Sequence, residues 1–146
     1  MAKKVPYETQ ILSEWMKRLG LQDWAIVLHT NVNPSEMKIY GTVGCTSWEE
    51  STKSAFIQII DPSKVGEVTR DFDFEEVLVH ELLHLKTSLL SSRSEEEEIL
   101  SDRVLHQLID DLARAMVDIK KTERAKDGKV SDLRRGKQET GPEDKA

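Results

Sequence analysis

Asp73-Phe-Glu-Glu76-Val-Leu-Val-His80-Glu81-Leu-Leu-His84-Leu-Lys-Thr-Ser-Leu-Leu90 is the most informative stretch of this 146-residue chain. Asp73, with Glu76 three residues on, has the form of a capping box, so a helix is expected to open there. Phe72 and Val77 stand where a hydrophobic staple would close. Val77, Leu78, Val79, Leu82, Leu83, Leu85, Leu89 and Leu90 make the segment apolar nearly all round. That predicts a helix to about Leu90 lying inside the domain. Lys86 apart, three ionisable side chains interrupt it, and burying them without a role is costly. They spell H-E-x-x-H. Histidines at i and i+4 lie one turn apart on one helix face, so His80 and His84 can ligate one Zn²⁺. Glu81 projects beside such an ion, where it can take a proton from water.

Downstream, Ser91-Ser-Arg93 reads as a short joint, and Ser94-Glu-Glu-Glu97 as a second capping box. It opens a long helix to about residue 119, with Leu105, Leu108, Ile109, Leu112 and Met116 as the predicted buried stripe. Upstream, Ile11, Leu12, Trp15, Met16 and Leu19 predict a helix over 7–19, with Pro6 in its first turn and Gly20 at C′. Trp24 to Val32 alternates as a strand. Asn33-Pro34-Ser35 turns the chain into a second strand, Ile39 to Trp48, where Gly41 and Gly44 hint at a bulge or a close approach. A third strand, Ser54 to Ile60, sets Ala55, Ile57 and Ile59 on one face and Phe56, Gln58 and Ile60 on the other. Asp61-Pro62 stops it. The expected fold is α+β: a small three-stranded antiparallel sheet packed with an N-terminal helix, the buried H-E-x-x-H helix and a long C-terminal helix.

At this length one domain is expected. From Lys120 onward there are nine Lys/Arg and six Asp/Glu with few apolar side chains, so 120–146 reads as a disordered tail and 5–119 as the folded unit. Residues 1–119 hold 21 acidic and twelve basic side chains. An acidic body argues against nucleic acid as the main ligand, since phosphate binding needs a cationic face. Cys45, the single cysteine, cannot form an internal disulfide and excludes a multi-cysteine zinc finger. The apolar runs fall short of the roughly 18 residues a membrane helix needs. Met1-Ala-Lys-Lys4 has no apolar stretch behind it, so no secretory signal is read there. A cytoplasmic protein is the expectation.

A catalytic zinc site needs a third protein ligand. Gly and His at 87 and 90 would mark one branch of zinc peptidases, but those positions hold Thr87 and Leu90. The remaining candidates lie on the next helix. His106 is the first choice, although at ~1.5 Å per residue a strict hairpin would leave it about 9 Å out of level with His84. Asp102 and Glu98 would be closer to level, and Asp102 could instead orient an imidazole. His29 and Cys45 read as structural residues. Trp48 has no assigned role, with a cleft position open to it.

Trp24-Ala-Ile-Val27, Ala55-Phe-Ile-Gln-Ile59, Val77-Leu-Val-His-Glu-Leu-Leu-His-Leu85 and His106-Gln-Leu-Ile-Asp-Asp-Leu-Ala113 together carry a resemblance. Over 5–119 the chain resembles the small gluzincin-like zincins found among phage and bacterial metallopeptidases. The resemblance implies a zinc-dependent metallopeptidase, with Glu81 as general base and peptide or protein as substrate. It implies that the strand around Ala55–Ile59 is the edge receiving an extended peptide. It also implies a third ligand at the position of His106. Such families usually carry Glu there, but imidazole is itself a good zinc ligand. Two rival expectations are a non-catalytic zinc-binding interaction module and a metal-free interaction protein. Glu81 favours the enzyme, because a pure zinc scaffold has no need of it.

Overall fold

The computed structural model describes residues 4–66, 71–88 and 95–136, with side chains described from 103 to 129 in the last stretch. Helix α1 spans Tyr7–Arg18 and buries Ile11, Leu12 and Trp15. Gly20 follows at φ +65°, the left-handed conformation that ends a helix most cheaply without a Cβ. Strand β1 is Ala25–Val32, β2 is Gly44–Glu49 and β3 is Ser54–Ile60. Helix α2 spans Phe74–Thr87, with the Asp73 side chain accepting the Glu76 amide at 3.1 Å as its N-cap. Helix α3 spans Glu95–Gly136. The joint at 91–93, the Ser94 cap and Leu90 lie outside the described residues.

The sheet is mixed, and this corrects the antiparallel expectation. Its order is β1-β3-β2, with β1 parallel to β3 and β2 antiparallel to it. Alternation marks a segment as a strand but carries no information about its partner. Strand β3 takes the centre because it is apolar on both faces. Ala55, Ile57 and Ile59 are buried against the helices, while Ile60 joins Val32, Met37 and Cys45 on the opposite face. Strand β1 leaves Ala25, Val27 and His29 exposed, as suits an edge. The second strand is also shorter than the predicted Ile39–Trp48. Its first five residues form a loop instead, with Gly41 at φ +84°.

Helix α2 lies inside, as its all-round apolar character predicts. Leu78, Val79 and Leu82 are fully buried, and the helix packs against the sheet, α1 and α3. Helix α3 meets it through Ile109, Ala113, Val117 and Lys120, with Leu105 and Met116 half-buried beside them. The predicted stripe was therefore partly wrong. Leu108 and Leu112 are 52% and 44% exposed, on a second apolar stripe that also holds Val104 and Ile119. Two neighbouring stripes of similar period run along this helix, and periodicity alone cannot say which is covered.

The boundary at 119 falls within α3, so a disordered tail beginning at Lys120 is also corrected: the helix continues to Gly136. Its charges hold it to the body. Lys120 is 1% exposed and pairs with Glu75 and Glu14, Arg124 reaches Glu14 at 3.0 Å, and Lys121 reaches Asp73 at 2.5 Å. Counting apolar side chains misses this, because the acids that receive the basic residues lie on α1 and α2. No helix among the described residues is long and apolar enough to cross a membrane.

Candidate metal centre

His80 and His84 stand one turn apart on α2, and their Nε2 atoms are 3.1 Å from each other. Helix α3 brings His106 to them, with ring centroids 4.8 Å from His84 and 5.8 Å from His80. One nitrogen from each of the three rings lies within 4.8 Å of the others. A tetrahedral ion with metal–nitrogen bonds of about 2.0–2.1 Å needs its nitrogens roughly 3.3 Å apart. The donor set fits such an ion with small adjustments of side-chain torsions. The hairpin argument against His106 does not hold. Seven residues separate Thr87 from Glu95, enough chain for α3 to begin beyond the end of α2. The side chains of Asp102 and Glu98 lie outside those described.

Asp110, one turn after His106, places Oδ1 2.6 Å from His80 Nδ1. A carboxylate there holds the proton on Nδ1 and turns the Nε2 lone pair toward the other histidines. The sequence offers Asp102 for such a part, and its side chain is outside those described. The missed signal is the i, i+4 spacing of His106 and Asp110, which puts both on one face of α3.

Glu81 is 5% exposed. Its Oε2 accepts the Thr46 hydroxyl at 2.5 Å. Burial pushes its carboxyl above the usual range, opposed by the Thr46 hydrogen bond and by His80 and His106, while Asp110 adds to the rise. The glycine in β2 now has its reason. A Cβ on Gly44 would fall onto the Glu81 carboxylate and 2.9 Å from Val77 Cγ1. This is the close approach at which the sequence hinted. Thr46 gave no signal of its own.

A cleft of about 690 Å³ opens over these residues, lined by β2, the loop before it, α2 and α3. Trp48 lines it, its indole nearly parallel to the His84 ring at 6.5 Å. Cys45 is buried, and burial and then the neighbouring Glu81 push its thiol up, away from nucleophilic use. His29 is on the outer face of the sheet, edge-on to Phe56 at 4.8 Å and apart from the histidine cluster.

The backbone of β2 bears on the cleft as well. Ile60 donates to the Val43 carbonyl at 2.9 Å, and Cys45 faces Gln58 in the same antiparallel register. Antiparallel pairs alternate, so Gly44, Thr46 and Trp48 turn their N–H and C=O groups away from β3, toward the free edge. The expectation that Ala55–Ile59 is the receiving edge is corrected, because β3 is paired on both sides. Compared with protein-family models, curated proteins and solved structures, the chain has no match.

Proposed function

We propose that this protein is a zinc-dependent peptidase. One observation carries the reading: three imidazole nitrogens within 4.8 Å of one another, with the Glu81 carboxylate buried beside them on the wall of an open cleft. Bound zinc would act as a Lewis acid and make water a nucleophile near neutral pH. His80, His84 and His106 would hold it, and Asp110 would fix the tautomer of His80. An extended substrate would pair with the outward backbone groups of Gly44, Thr46 and Trp48, as an added strand. That would bring its scissile carbonyl alongside the histidines. Glu81 would take a proton from the attacking water at its carboxylate and pass it to the leaving amine.

The experiment is zinc analysis and proteolysis of untagged protein. Wild type should carry one zinc and cut a casein-type substrate. Glu81→Gln should keep the zinc and lose about 10²- to 10⁴-fold in turnover. His80→Ala should lose both. Zinc-free, folded wild-type protein would end the reading, and so would an E81Q variant as active as wild type.

A non-catalytic zinc-binding interaction module is the second reading. It is favoured by the exposed stripe of Val104, Leu108, Leu112 and Ile119 on α3, which offers a partner an apolar face. Zinc-loaded protein that cuts no substrate would point to it.

A further inference from the structure

Gly44 and Thr46 are two residues apart on β2, so both face α2, and both meet the same side chain there. Glu81 reaches between them. Thr46 Oγ1 donates to Oε2 at 2.5 Å and lies 3.4 Å from the Glu81 carbonyl oxygen. Oε1 and Cδ occupy the space a Cβ of residue 44 would fill, with Cδ 3.0 Å from that point. From this socket we infer that Thr46 is a positioning residue for Glu81, setting where its carboxylate stands over the cleft, with Gly44 leaving the room. The inference deepens the peptidase reading and rests on it.

A glutamate has three side-chain torsions, and a free one would spend much of its time pointing elsewhere. Proton transfer in the reaction needs the carboxylate within hydrogen-bond reach of the water it serves. A displacement of about 1 Å can cost roughly 10²-fold in rate. The hydroxyl fixes Oε2, and Oε1 lies in the space that Gly44 leaves, so both carboxylate oxygens are placed by β2. The same strand would hold the substrate through the backbone of Gly44 and Thr46, so peptide and base would be indexed to one rigid element. That is a stricter arrangement than a base placed by a loop.

Thr46→Val removes the donor and keeps the shape, Thr46→Ser keeps the donor, and Gly44→Ala fills the socket. Two measurements separate this inference from the reading beneath it. The first is a double-mutant cycle of T46V and E81M, which removes the acceptor at nearly the same side-chain volume, on the unfolding midpoint of metal-free protein. It reads the contact with neither zinc nor turnover. Non-additivity of about 2 °C or more is expected, and additive midpoints overturn the inference even if the protein is an active peptidase. The second is zinc content with kcat and KM of the zinc-loaded protein. T46V and G44A should keep one zinc and a KM within about twofold of wild type, while kcat falls about 10- to 100-fold, and T46S should restore most of it. A coupled cycle with unchanged kcat in T46V makes the contact structural and overturns the positioning role. Wild-type protein that binds zinc and cuts nothing, with a coupled cycle, removes the peptidase reading and the catalytic part of the inference with it, while the contact itself stands.

Discussion

Glu75 and Glu81 lie six residues apart on α2, and each is 5% exposed, but they meet opposite surroundings. Glu75 is closed by the protein itself. The Lys120 ammonium pairs with it, the Trp15 indole donates to its Oε1 at 2.6 Å, and the ammonium also sits 5.3 Å from the Trp15 ring centre. Glu81 is held by a neutral hydroxyl and opens onto a cleft beside three imidazoles. A buried carboxylate with its own cation fixes three helices against one another. One held by a neutral donor beside three imidazoles is, in the proposed reading, set up to exchange a proton. The two ends of one helix thus do different work: one end sets where α3 lies, and the other uses what α3 delivers, His106 and Asp110.

The sharpest way to break this comparison is to cut each end separately in metal-free protein. Lys120→Met strands the Glu75 charge in the interior, and removing one partner of a buried pair costs about 3–5 kcal/mol. His106→Ala removes an exposed side chain and should leave stability within about 0.5 kcal/mol of wild type, while zinc binding collapses. Chemical denaturation of both variants, with zinc titration of each, checks the pair. Equal destabilisation by the two would erase the distinction.

A smaller effect should come from Asp110→Asn. The variant keeps a hydrogen-bonding group near His80 Nδ1 and loses the charge. Zinc affinity should fall about 10- to 100-fold in competition with a chelator, with little change in metal-free stability. Unchanged affinity would detach Asp110 from the centre.

The smallest effect concerns acid. Burial raises Glu14, but hydrogen bonding and charge from Lys120, with Arg124 and Arg18, outweigh it and hold the carboxyl below its usual 4.5. Burial likewise raises Asp73, and Lys121 and the Glu76 amide outweigh it, holding it below 3.8. A depressed carboxyl contributes stability that is present above its unfolded value and is lost as pH falls through its folded value. The unfolding midpoint should therefore drop below about pH 4.5. In Glu14→Gln that decline should be shallower. An identical acid profile in the variant would detach Glu14 from the clamp on α3.

Much of this was legible before the fold. The H-E-x-x-H spacing is local, and helical geometry alone puts His80 and His84 on one face. The cap at Asp73, the turn at Gly20 and the interior place of α2 follow from neighbouring residues in the same way. Gly41 and Gly44 together hint at a bulge or a close approach, but nothing in the sequence says that Gly44 is the one approached, or by what. Asp110 was missed even though its spacing from His106 was in plain view, because nothing in sequence says that this face of α3 meets His80.

Sequence by itself determined what depends on contacts within a turn or a strand: where α1, β1, β3 and the start of α2 lie, and which two histidines share a face. Tertiary structure decided the rest. It chose the centre of the sheet, since strand pairing joins residues far apart in the chain. It chose which of two apolar stripes on α3 is buried, since both have helical period. It brought His106 to the pair on α2 and Thr46 to Glu81, since those meetings depend on how separate elements pack. It also joined Lys120 to Glu75, turning what composition marks as the start of a charged tail into part of the core.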